Sequence, residues 1–301
     1  AEGLEWMPTE QTLSDEETIR LIRIGVGKLG IRQVRFTGGE PLLRKSLEKI
    51  IAATKQLRTD QGRSPSTALT TNGLGLEKRT GALAAAGLDR INISLDTIDR
   101  ERYAALTRRD RLDHVLQAIA AADAAGLHPI KINAVVMPGV NEEDIVPLAD
   151  YAVRHGAQLR FIEQMPLDGG HVWNRAEMVT AAETLALLRR THSLDALPGR
   201  GAAPAELYEV DGGPGHVGII ASVTMPFCGA CDRLRLTSDG QLRSCLFARG
   251  ETDVRSVLRS GGTDADVRAR IRACLAGKQP GHGIDEPGFL QPPRPMSAIG
   301  G

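Results

Sequence analysis

Short apolar runs alternate with amphipathic helical patterns along the first two thirds of the chain. The first helical pattern opens at a capping box of Ser14 and Glu17, and a helical stretch separates each apolar run from the next. Such alternation builds a parallel sheet, because a helix on a right-handed crossover returns the chain to the start of a neighbouring strand. The five strand-like runs are 34–37, 68–71, 91–95, 130–137 and 159–162. The sequence therefore predicts an α/β fold.

A different pattern begins after a stretch rich in proline, glycine and alanine at residues 194–204. Beyond it, short strand-like runs lie close together, and Asp239-Gly240 between two of them is typical of a hairpin turn. These runs are 207–210, 218–223, 234–237 and 241–244, and helices are predicted near 252–260 and 264–275. We expect two domains, residues 1–200 and residues 201–301, with a hairpin and helices in the second.

The composition limits the kind of partner that the protein binds. The 301 residues include 37 Lys+Arg and 37 Asp+Glu, so the formal net charge is +0 and any anion site must be local. Only 3% of the residues are aromatic, which disfavours a protein that stacks single-stranded bases. Four cysteines are too few for a disulfide scaffold, and no apolar run reaches about 18 residues. We expect a cytoplasmic protein that binds neither nucleic acid nor membranes.

Three cysteines near the C-terminus are spaced as C-x2-C-x13-C, and these are Cys228, Cys231 and Cys245. Three thiolates can hold an iron–sulfur cluster and leave one iron open, since four thiolates are the usual number. A structural zinc site completed by His216 or His282, or chance clustering of free thiols, is also compatible with this spacing. Cys274 lies outside the pattern and is expected to be a small buried residue. The spacing alone leaves these alternatives open.

Residues that follow the predicted strands are candidates for ligand binding, because ligands of parallel sheets lie beyond the carboxyl ends of the strands. The loop 37–41 reads Thr-Gly-Gly-Glu-Pro, and its glycines let a ligand approach the backbone N–H groups. The same loop also fits an ordinary turn between a strand and a helix. Thr70, Ser94 and Met165 lie at or after the ends of three further strands.

Positively charged side chains occur at unusual places in the pattern. Arg35 and Lys131 lie within predicted strands, and Arg160 lies at a strand edge. Arg233 and Arg235 directly follow the first cysteine pair. Each of them alone is typical of a solvated or salt-bridged residue, but converging on one barrel mouth they would neutralise a triphosphate.

Seven motifs, taken in order, resemble the GTP 3′,8-cyclase family of radical S-adenosylmethionine enzymes. They are TGGEPLLR, TTNGLGL, INISLD, KINAV, RFIEQMPL, CGACDRLRLTSDGQLRSCLF and the terminal Ile-Gly-Gly. The resemblance runs from about Gly3 to Gly301 and favours the iron–sulfur interpretation of the cysteines. It implies an incomplete, six-stranded parallel α/β barrel in residues 1–200, followed by a C-terminal cluster-binding region in residues 201–301.

The resemblance also implies a role for each residue that matches a family motif. The residues expected to contact S-adenosylmethionine are Gly39, Ser94 and Met165. Those expected to bind GTP are Arg35, Thr70, Lys131, Arg233 and Arg235. The expected ligands of a second [4Fe–4S] cluster, whose open iron contacts the guanine, are Cys228, Cys231 and Cys245. The expected catalytic residues are Arg160, near the triphosphate, and Gly300 and Gly301 of a tail that reaches the active site.

Members of this family start molybdenum cofactor biosynthesis by converting GTP to (8S)-3′,8-cyclo-7,8-dihydroguanosine 5′-triphosphate. A first [4Fe–4S] cluster cleaves S-adenosylmethionine reductively, and the resulting radical removes the 3′-hydrogen of GTP before the ribose carbon attacks C8. The implied partners are a reductant for the cluster, the cyclic pyranopterin monophosphate synthase that acts next, and a second copy of the chain in a homodimer.

One departure from the family pattern concerns the first cluster, which the family binds through an N-terminal C-x3-C-x2-C motif. The sequence does not contain that motif, nor the first barrel strand and an N-terminal arginine that accompany it. We therefore expect a fragment that lacks the segment cleaving S-adenosylmethionine and is inactive alone. The alternatives are a natural inactive paralogue, another radical S-adenosylmethionine enzyme with an auxiliary cluster, and a zinc-stabilised binding module without catalysis.

Overall fold

The computed structural model of the chain describes residues 7–170, 172–286 and 288–300. Its α-helices are α1 (Asp15–Leu29), α2 (Leu47–Lys55), α3 (Thr80–Ala85), α4 (Arg100–Thr107), α5 (Leu112–Ala124), α6 (Ile145–Arg154), α7 (Ala181–Leu188), α8 (Arg255–Arg259), α9 (Asp264–Ala276) and α10 (Met296–Ile299). Its strands are β1 (Gln33–Phe36), β2 (Ser66–Thr71), β3 (Arg90–Ser94), β4 (Ile130–Val136), β5 (Gln158–Glu163), β6 (Leu194–Leu197), β7 (Glu206–Val210), β8 (His216–Ile220), β9 (Arg235–Leu236), β10 (Gln241–Arg243) and β11 (Thr252–Asp253).

Eight strands form one sheet in the order β1-β2-β3-β4-β5-β8-β7-β6. The first five are parallel neighbours, as the sequence predicts, and β8 adds a sixth parallel strand beside β5. β7 and β6 follow as antiparallel strands. With helices between its parallel strands, the sheet is a partial α/β barrel in which β1 and β6 are the edges among the described residues.

The two faces of the sheet differ in polarity because side chains alternate along each strand. In β4, Ile130, Ile132 and Ala134 are buried in the main hydrophobic core, whereas Lys131 and Asn133 lie on the opposite face. The apolar face packs against the surrounding helices. The opposite, inner face of the barrel is polar, which explains a lysine in an otherwise apolar strand.

The C-terminal part builds a second, smaller sheet of β9, β10 and β11, which packs with α8 and α9 against α1. Asp239 and Gly240 form the predicted turn between β9 and β10, and Gly240 has φ +77°. A Cβ at Gly240 would lie 2.6 Å from the Cβ of Arg255, so only glycine fits this turn. Cys274 is buried in this second core, which confirms its predicted place.

Two details of the predicted elements are wrong. The helical stretch expected between the apolar runs 91–95 and 130–137 is broken at Arg108, whose left-handed backbone (φ +56°) separates α4 from α5. The helix predicted near 252–260 starts only at Arg255, since β11 occupies its first two positions. The stretch 194–204, rich in proline, glycine and alanine, begins with β6, which pairs with β7 along its whole length.

The proposed boundary between residues 200 and 201 lies in the connection from β6 to β7, two paired strands of the same sheet. The division into two domains stays a prediction. Within the ranges that the structure describes, none of the helices has the length and apolarity that a bilayer crossing requires.

Candidate active site

The inner face of the barrel carries a cluster of cations. Burial, together with repulsion from Arg160, Arg90 and Arg35, lowers the pKa of Lys131 to about 8. Burial, followed by repulsion from Arg35 and Arg90, lowers the pKa of Arg160 to about 10. Side chains that repel one another in this way lie close together, so four strands, β1, β3, β4 and β5, contribute to one positive site.

Two arginines of the C-terminal part belong to the same cluster. Burial lowers the pKa of Arg235 to about 10, with further repulsion from Arg233 and Arg35. The Arg233 guanidinium lies 4.7 Å from the centre of the Phe227 ring. Its Nε and Nη2 atoms are shielded from solvent and have no hydrogen-bond partner among the described residues. The predicted convergence of five cations, Arg35, Lys131, Arg160, Arg233 and Arg235, is thus present in the structure.

None of these five cations forms an ion pair with a carboxylate in the part of the chain that the structure describes. Two other arginines do have such partners. The buried Arg243 donates from Nη1 to Glu251 across 2.6 Å, and the half-buried Arg294 pairs with both Asp239 and Glu251. Of the five cations, Arg160 is buried, Arg35 is exposed and the other three are half-buried. Cations withdrawn from water without counter-ions destabilise a fold, so their accumulation on one face indicates an anionic ligand.

The inner face also holds uncharged polar groups. Thr70 Oγ1 accepts a hydrogen bond from Asn92 Nδ2 across 3.0 Å. Asn133 Oδ1 is shielded from solvent without a partner among the described residues, and Asn133 lies directly opposite Arg160 in the sheet register. The sequence analysis did not identify Arg90, Asn92 and Asn133 as residues of this face. Their alternation with buried apolar residues along β3 and β4 would have predicted that they lie on it.

The three cysteines come together beside the cation cluster. Cys228 begins a single short helical turn that Cys231 directly follows, and Cys245 follows β10 by two residues. Burial raises the pKa of Cys228, and the nearby Cys245 and Cys231 raise it further. Within the described residues, no three His, Cys, Asp or Glu side chains are arranged to hold a single metal ion. Ligands of a four-iron cluster each bind a different iron and do not need to converge on one point.

His282, one of the two histidines considered for a zinc site, already has partners for its ring. His282 Nε2 donates to the carbonyl oxygen of Ser222 across 2.9 Å, and its Nδ1 accepts from the backbone N–H of Ile284. With both ring nitrogens engaged, His282 has no lone pair left for a metal. His216 begins β8, where its backbone pairs with Glu209.

Hydrogen-bond donors surround the sulfur atoms. The backbone N–H of His282 donates to Cys228, and that of Arg233 donates to Cys231. The Lys278 ammonium also contacts Cys231, with 3.5 Å between Nζ and Sγ. Burial alone would raise the pKa of Cys231, but the Arg233 N–H, the Arg233 charge and Lys278 together bring that pKa below its usual value. Such donors are what a thiolate needs in order to stay ionised as a ligand.

The residues expected to contact S-adenosylmethionine share one edge of the sheet. Gly39 follows β1, Ser94 ends β3, and Met165 follows β5. The three strands are parallel, so these residues all lie at the carboxyl ends. Met165 is half-buried against two small hydrophobic clusters of the C-terminal part. Their roles stay predictions.

The loop after β1 is fixed by its own glutamate. Glu40 Oε1 accepts from Thr71 Oγ1 across 2.7 Å, and Oε2 accepts from the backbone N–H of Asn72 across 2.8 Å. The carboxylate thereby joins the loop to the end of β2 and leaves the glycine backbone of the loop facing a cavity of about 1210 Å³. That cavity extends to Arg35 and to the C-terminal tail.

Gly300 in the C-terminal tail contacts both the loop after β1 and the cation cluster. Arg235 Nη1 donates to the Gly300 carbonyl oxygen, and Gly300 has φ +82°. A Cβ at Gly300 would lie 3.1 Å from Thr37 Cγ2, so both this tight contact and the positive φ favour glycine. Gly301, the other expected catalytic glycine, lies outside the described residues.

Comparisons with known proteins agree with this arrangement. Residues 4–152 match the Radical SAM superfamily, and residues 157–284 match the family described as Molybdenum Cofactor Synthesis C. A GTP 3′,8-cyclase of Corynebacterium glutamicum is 64% identical over 307 residues, which cover 100% of this chain and 81% of that protein. A GTP 3′,8-cyclase of Mycobacterium sp. (strain KMS) is 56% identical over 303 residues, which cover 100% of this chain and 85% of that protein. The inactivity expected for the chain has no support in these matches.

Among solved structures, the chain is similar to Streptococcus suis SuiB bound to S-adenosylmethionine. The TM-score is 0.59 at 14% sequence identity, and the match covers 89% of this chain and 63% of that chain. At this identity the likeness shows a shared fold and nothing further.

Proposed function

The chain belongs to the GTP 3′,8-cyclase family of radical S-adenosylmethionine enzymes of molybdenum cofactor biosynthesis, and from this we propose that it binds GTP at the cation cluster and an iron–sulfur cluster at its three cysteines. The observation that carries the proposal is the group of unpaired cations beside the three thiols. Arg233 and Arg235 connect the two parts, because each is electrostatically coupled to the cysteines and to Arg35.

In this proposal the triphosphate of GTP is bound by the cations of the inner face. Arg35, Lys131 and Arg160 lie on adjacent or nearby strands, and their mutual repulsion is relieved when an anion binds among them. Arginine forks suit phosphate oxygens because they donate two parallel hydrogen bonds. Thr70 supplies a neutral hydroxyl on the same face, hydrogen bonded to Asn92.

Cys228, Cys231 and Cys245 fit the ligand set of a [4Fe–4S] cluster. They lie close enough to perturb one another, and N–H donors are already directed at two of the sulfur atoms. When bound, such a cluster supplies an iron with an open coordination position, which accepts a nitrogen or oxygen lone pair of the guanine. Arg233 and Arg235 then position the nucleotide between the thiols and the barrel.

Gly39, Ser94 and Met165 are proposed to hold S-adenosylmethionine, which when bound supplies the hydrogen-abstracting chemistry of the family. The glycine backbone after β1 provides N–H groups for its carboxylate, and Gly300 closes that side of the site. We assign no residue of this sequence to the cluster that cleaves S-adenosylmethionine, since none of the four cysteines lies in a C-x3-C-x2-C motif.

The proposed product is the 3′,8-cyclised dihydroguanosine triphosphate, and the proposed pathway partners are a reductant for the cluster and the cyclic pyranopterin monophosphate synthase. A homodimer is a further proposal from the family resemblance. Arg160, which is 6% exposed and opposite Asn133, is proposed to contact the triphosphate during the reaction.

Calorimetric titration of the anaerobically reconstituted chain with GTP tests the proposal. Lys131→Met and Arg160→Gln each remove one inner-face charge and are expected to weaken GTP binding about tenfold or more. Arg270→Ala, an exposed arginine of α9, is the matched control and should bind GTP as the wild type does. Equal GTP affinity in the wild type and both inner-face variants would contradict the proposal.

A further inference from the structure

Lys278, two residues beyond the end of α9, makes three polar contacts with its ammonium group. Nζ lies 3.5 Å from Cys231 Sγ, 2.8 Å from the carbonyl oxygen of Arg233 and 2.8 Å from the carbonyl oxygen of Ser244. A lysine ammonium has three N–H donors, so all of them are engaged here.

These three contacts come from both segments that carry the cysteines. Arg233 follows Cys231 by two residues, and Ser244 directly precedes Cys245. One side chain therefore links the two segments, beyond the end of the pairing between β9 and β10. No backbone N–H of the described residues donates to the carbonyl oxygens of Arg233 and Ser244. Without Lys278, these two oxygens would need water as their hydrogen-bond donor.

The backbone of Lys278 is fixed by the end of α9. Its backbone N–H donates to the Leu275 carbonyl oxygen across 3.0 Å, which continues the end of α9. α9 is fixed by Val267 and Ile271, which are buried in the second core against α1. The ammonium is thus positioned by the fold before any metal binds, which is the arrangement expected of a residue that supports a metal ligand.

We propose that Lys278 is a positioning residue that ties the two cysteine segments together and raises the reduction potential of the iron–sulfur cluster. This inference rests on the proposed function, which places that cluster on Cys228, Cys231 and Cys245. Reduction from the 2+ to the 1+ state adds one electron, and hence one negative charge, to the cluster. A cation hydrogen bonded to a ligand sulfur stabilises this added negative charge. It therefore stabilises the reduced cluster more than the oxidised cluster, which raises the reduction potential.

Among the described residues, Lys278 is the one whose charged group is hydrogen bonded to a cysteine sulfur. Arg233 reaches the same sulfur through its backbone N–H, and its guanidinium lies over Phe227. Substituting Lys278 therefore changes the charge at the sulfur atom while the proposed phosphate ligands of the barrel stay in place.

The test compares the reconstituted wild-type chain with three variants in a redox titration with dithionite, followed by EPR. Lys278→Gln keeps N–H donors and removes the charge, Lys278→Arg keeps the charge, and Lys278→Met removes both. Lys28→Met, at an exposed position in the last turn of α1, is the matched control. We expect Lys278→Gln to lower the equilibrium constant for one-electron reduction about tenfold, a shift of about 59 mV to more negative potential. Lys278→Arg and Lys28→Met should stay near the wild-type potential.

Lys278→Met should shift the potential at least as far as Lys278→Gln and bind less iron, because the tie between the segments is also lost. A wild-type potential in Lys278→Gln with full iron content would overturn the inference while leaving the proposed function intact. A wild-type chain that takes up no iron and sulfide would instead overturn the proposed function itself.

Discussion

Arg235 donates a hydrogen bond from Nη1 to the Gly300 carbonyl oxygen across 2.9 Å, and this contact joins the C-terminal tail to the cation cluster. Arg235 is also coupled electrostatically to Arg35 in the barrel and to Cys231 and Cys245. One side chain therefore connects the tail, the barrel and the thiols. The site depends on the C-terminal part packing correctly over the mouth of the barrel.

Arg233→Ala is expected to weaken GTP binding without destabilising the free protein. Loss of a charge-assisted contact should reduce affinity by roughly 1.5–3 kcal/mol, about ten- to a hundred-fold. Two guanidinium nitrogens of Arg233 have no partner in the described residues, so their removal offsets the lost contact with Phe227. Calorimetry with GTP and urea unfolding measure the two effects, and Arg270→Ala is the control. A destabilised variant with normal GTP affinity would assign Arg233 a structural role instead.

The affinity for GTP is expected to fall as the pH rises above about 8. The pKa of Lys131 in the free chain is about 8, so above that pH GTP binding must first recharge the amine. The loss should approach about tenfold per pH unit until the pKa of the complex is reached. Calorimetry with GTP between pH 7.5 and 9.5 measures this slope, because the last ionisation of a phosphate lies at about 6, below that range. In Lys131→Met the slope should disappear, and an unchanged slope there would assign it to another group.

The depressed pKa of Lys131 also has a consequence for stability. The unfolded chain, with a lysine pKa of 10.5, binds more protons than the folded chain between about pH 8 and 10.5. The free energy of unfolding contributed by Lys131 therefore rises with pH across that window and is lowest below pH 8. Urea unfolding of the wild type minus that of Lys131→Met should show this rise. A difference that falls with pH would contradict the burial of Lys131 as an unpaired cation.

Each of the three clustered cysteines should be needed for iron. Cys228→Ser, Cys231→Ser and Cys245→Ser each remove a thiolate ligand, so bound iron and sulfide should drop steeply in all three. Cys274→Ala is the control, because Cys274 is buried in the second core and away from the motif. Chemical analysis of iron and sulfide after anaerobic reconstitution gives the result. Full iron in any of the three serine variants would remove that cysteine from the ligand set.

Glu163 should contribute strongly to stability through its buried carboxylate. Its oxygens accept from the backbone N–H groups of Ala181, Val223 and Thr224 and from the Thr224 hydroxyl, all within 2.9 Å. Glu163→Gln places an amide N–H group against these donors, and we expect a loss of about 3 kcal/mol in the free energy of unfolding. Urea unfolding measures it, with Glu101→Gln, at an exposed position in α4, as the control. A loss as small as that of the control would contradict this role.

The sequence predicts the fold best where neighbouring residues alone decide the structure, as in single strands and turns. Alternation along 130–136 predicts both the strand and the two-faced sheet, because the period of a strand requires Lys131 and Ile132 to point in opposite directions. The turn at Asp239-Gly240 was likewise predictable, since only glycine fits there. The parallel pairing of β8 with β5 was not, because hairpin signals report only the antiparallel neighbour β7.

Other parts of the site depend on tertiary packing. Arg35 and Arg233 are 198 positions apart, and their coupling follows from the C-terminal part folding over the barrel. Lys278 belongs to no recognisable motif, and only the position of α9 brings its ammonium to Cys231. Spacing in the sequence cannot report contacts of this kind.

The central claim is that GTP binds where the unpaired cations meet the three thiols, with its guanine at the iron–sulfur cluster. Pulsed EPR of the reduced, reconstituted chain tests it directly, by comparing samples without GTP, with unlabelled GTP and with GTP labelled with ¹⁵N in the guanine. We predict that GTP changes the cluster signal and that the hyperfine coupling changes with the nitrogen isotope. A cluster signal that is the same in all three samples, at GTP concentrations that saturate calorimetric binding, would contradict the claim.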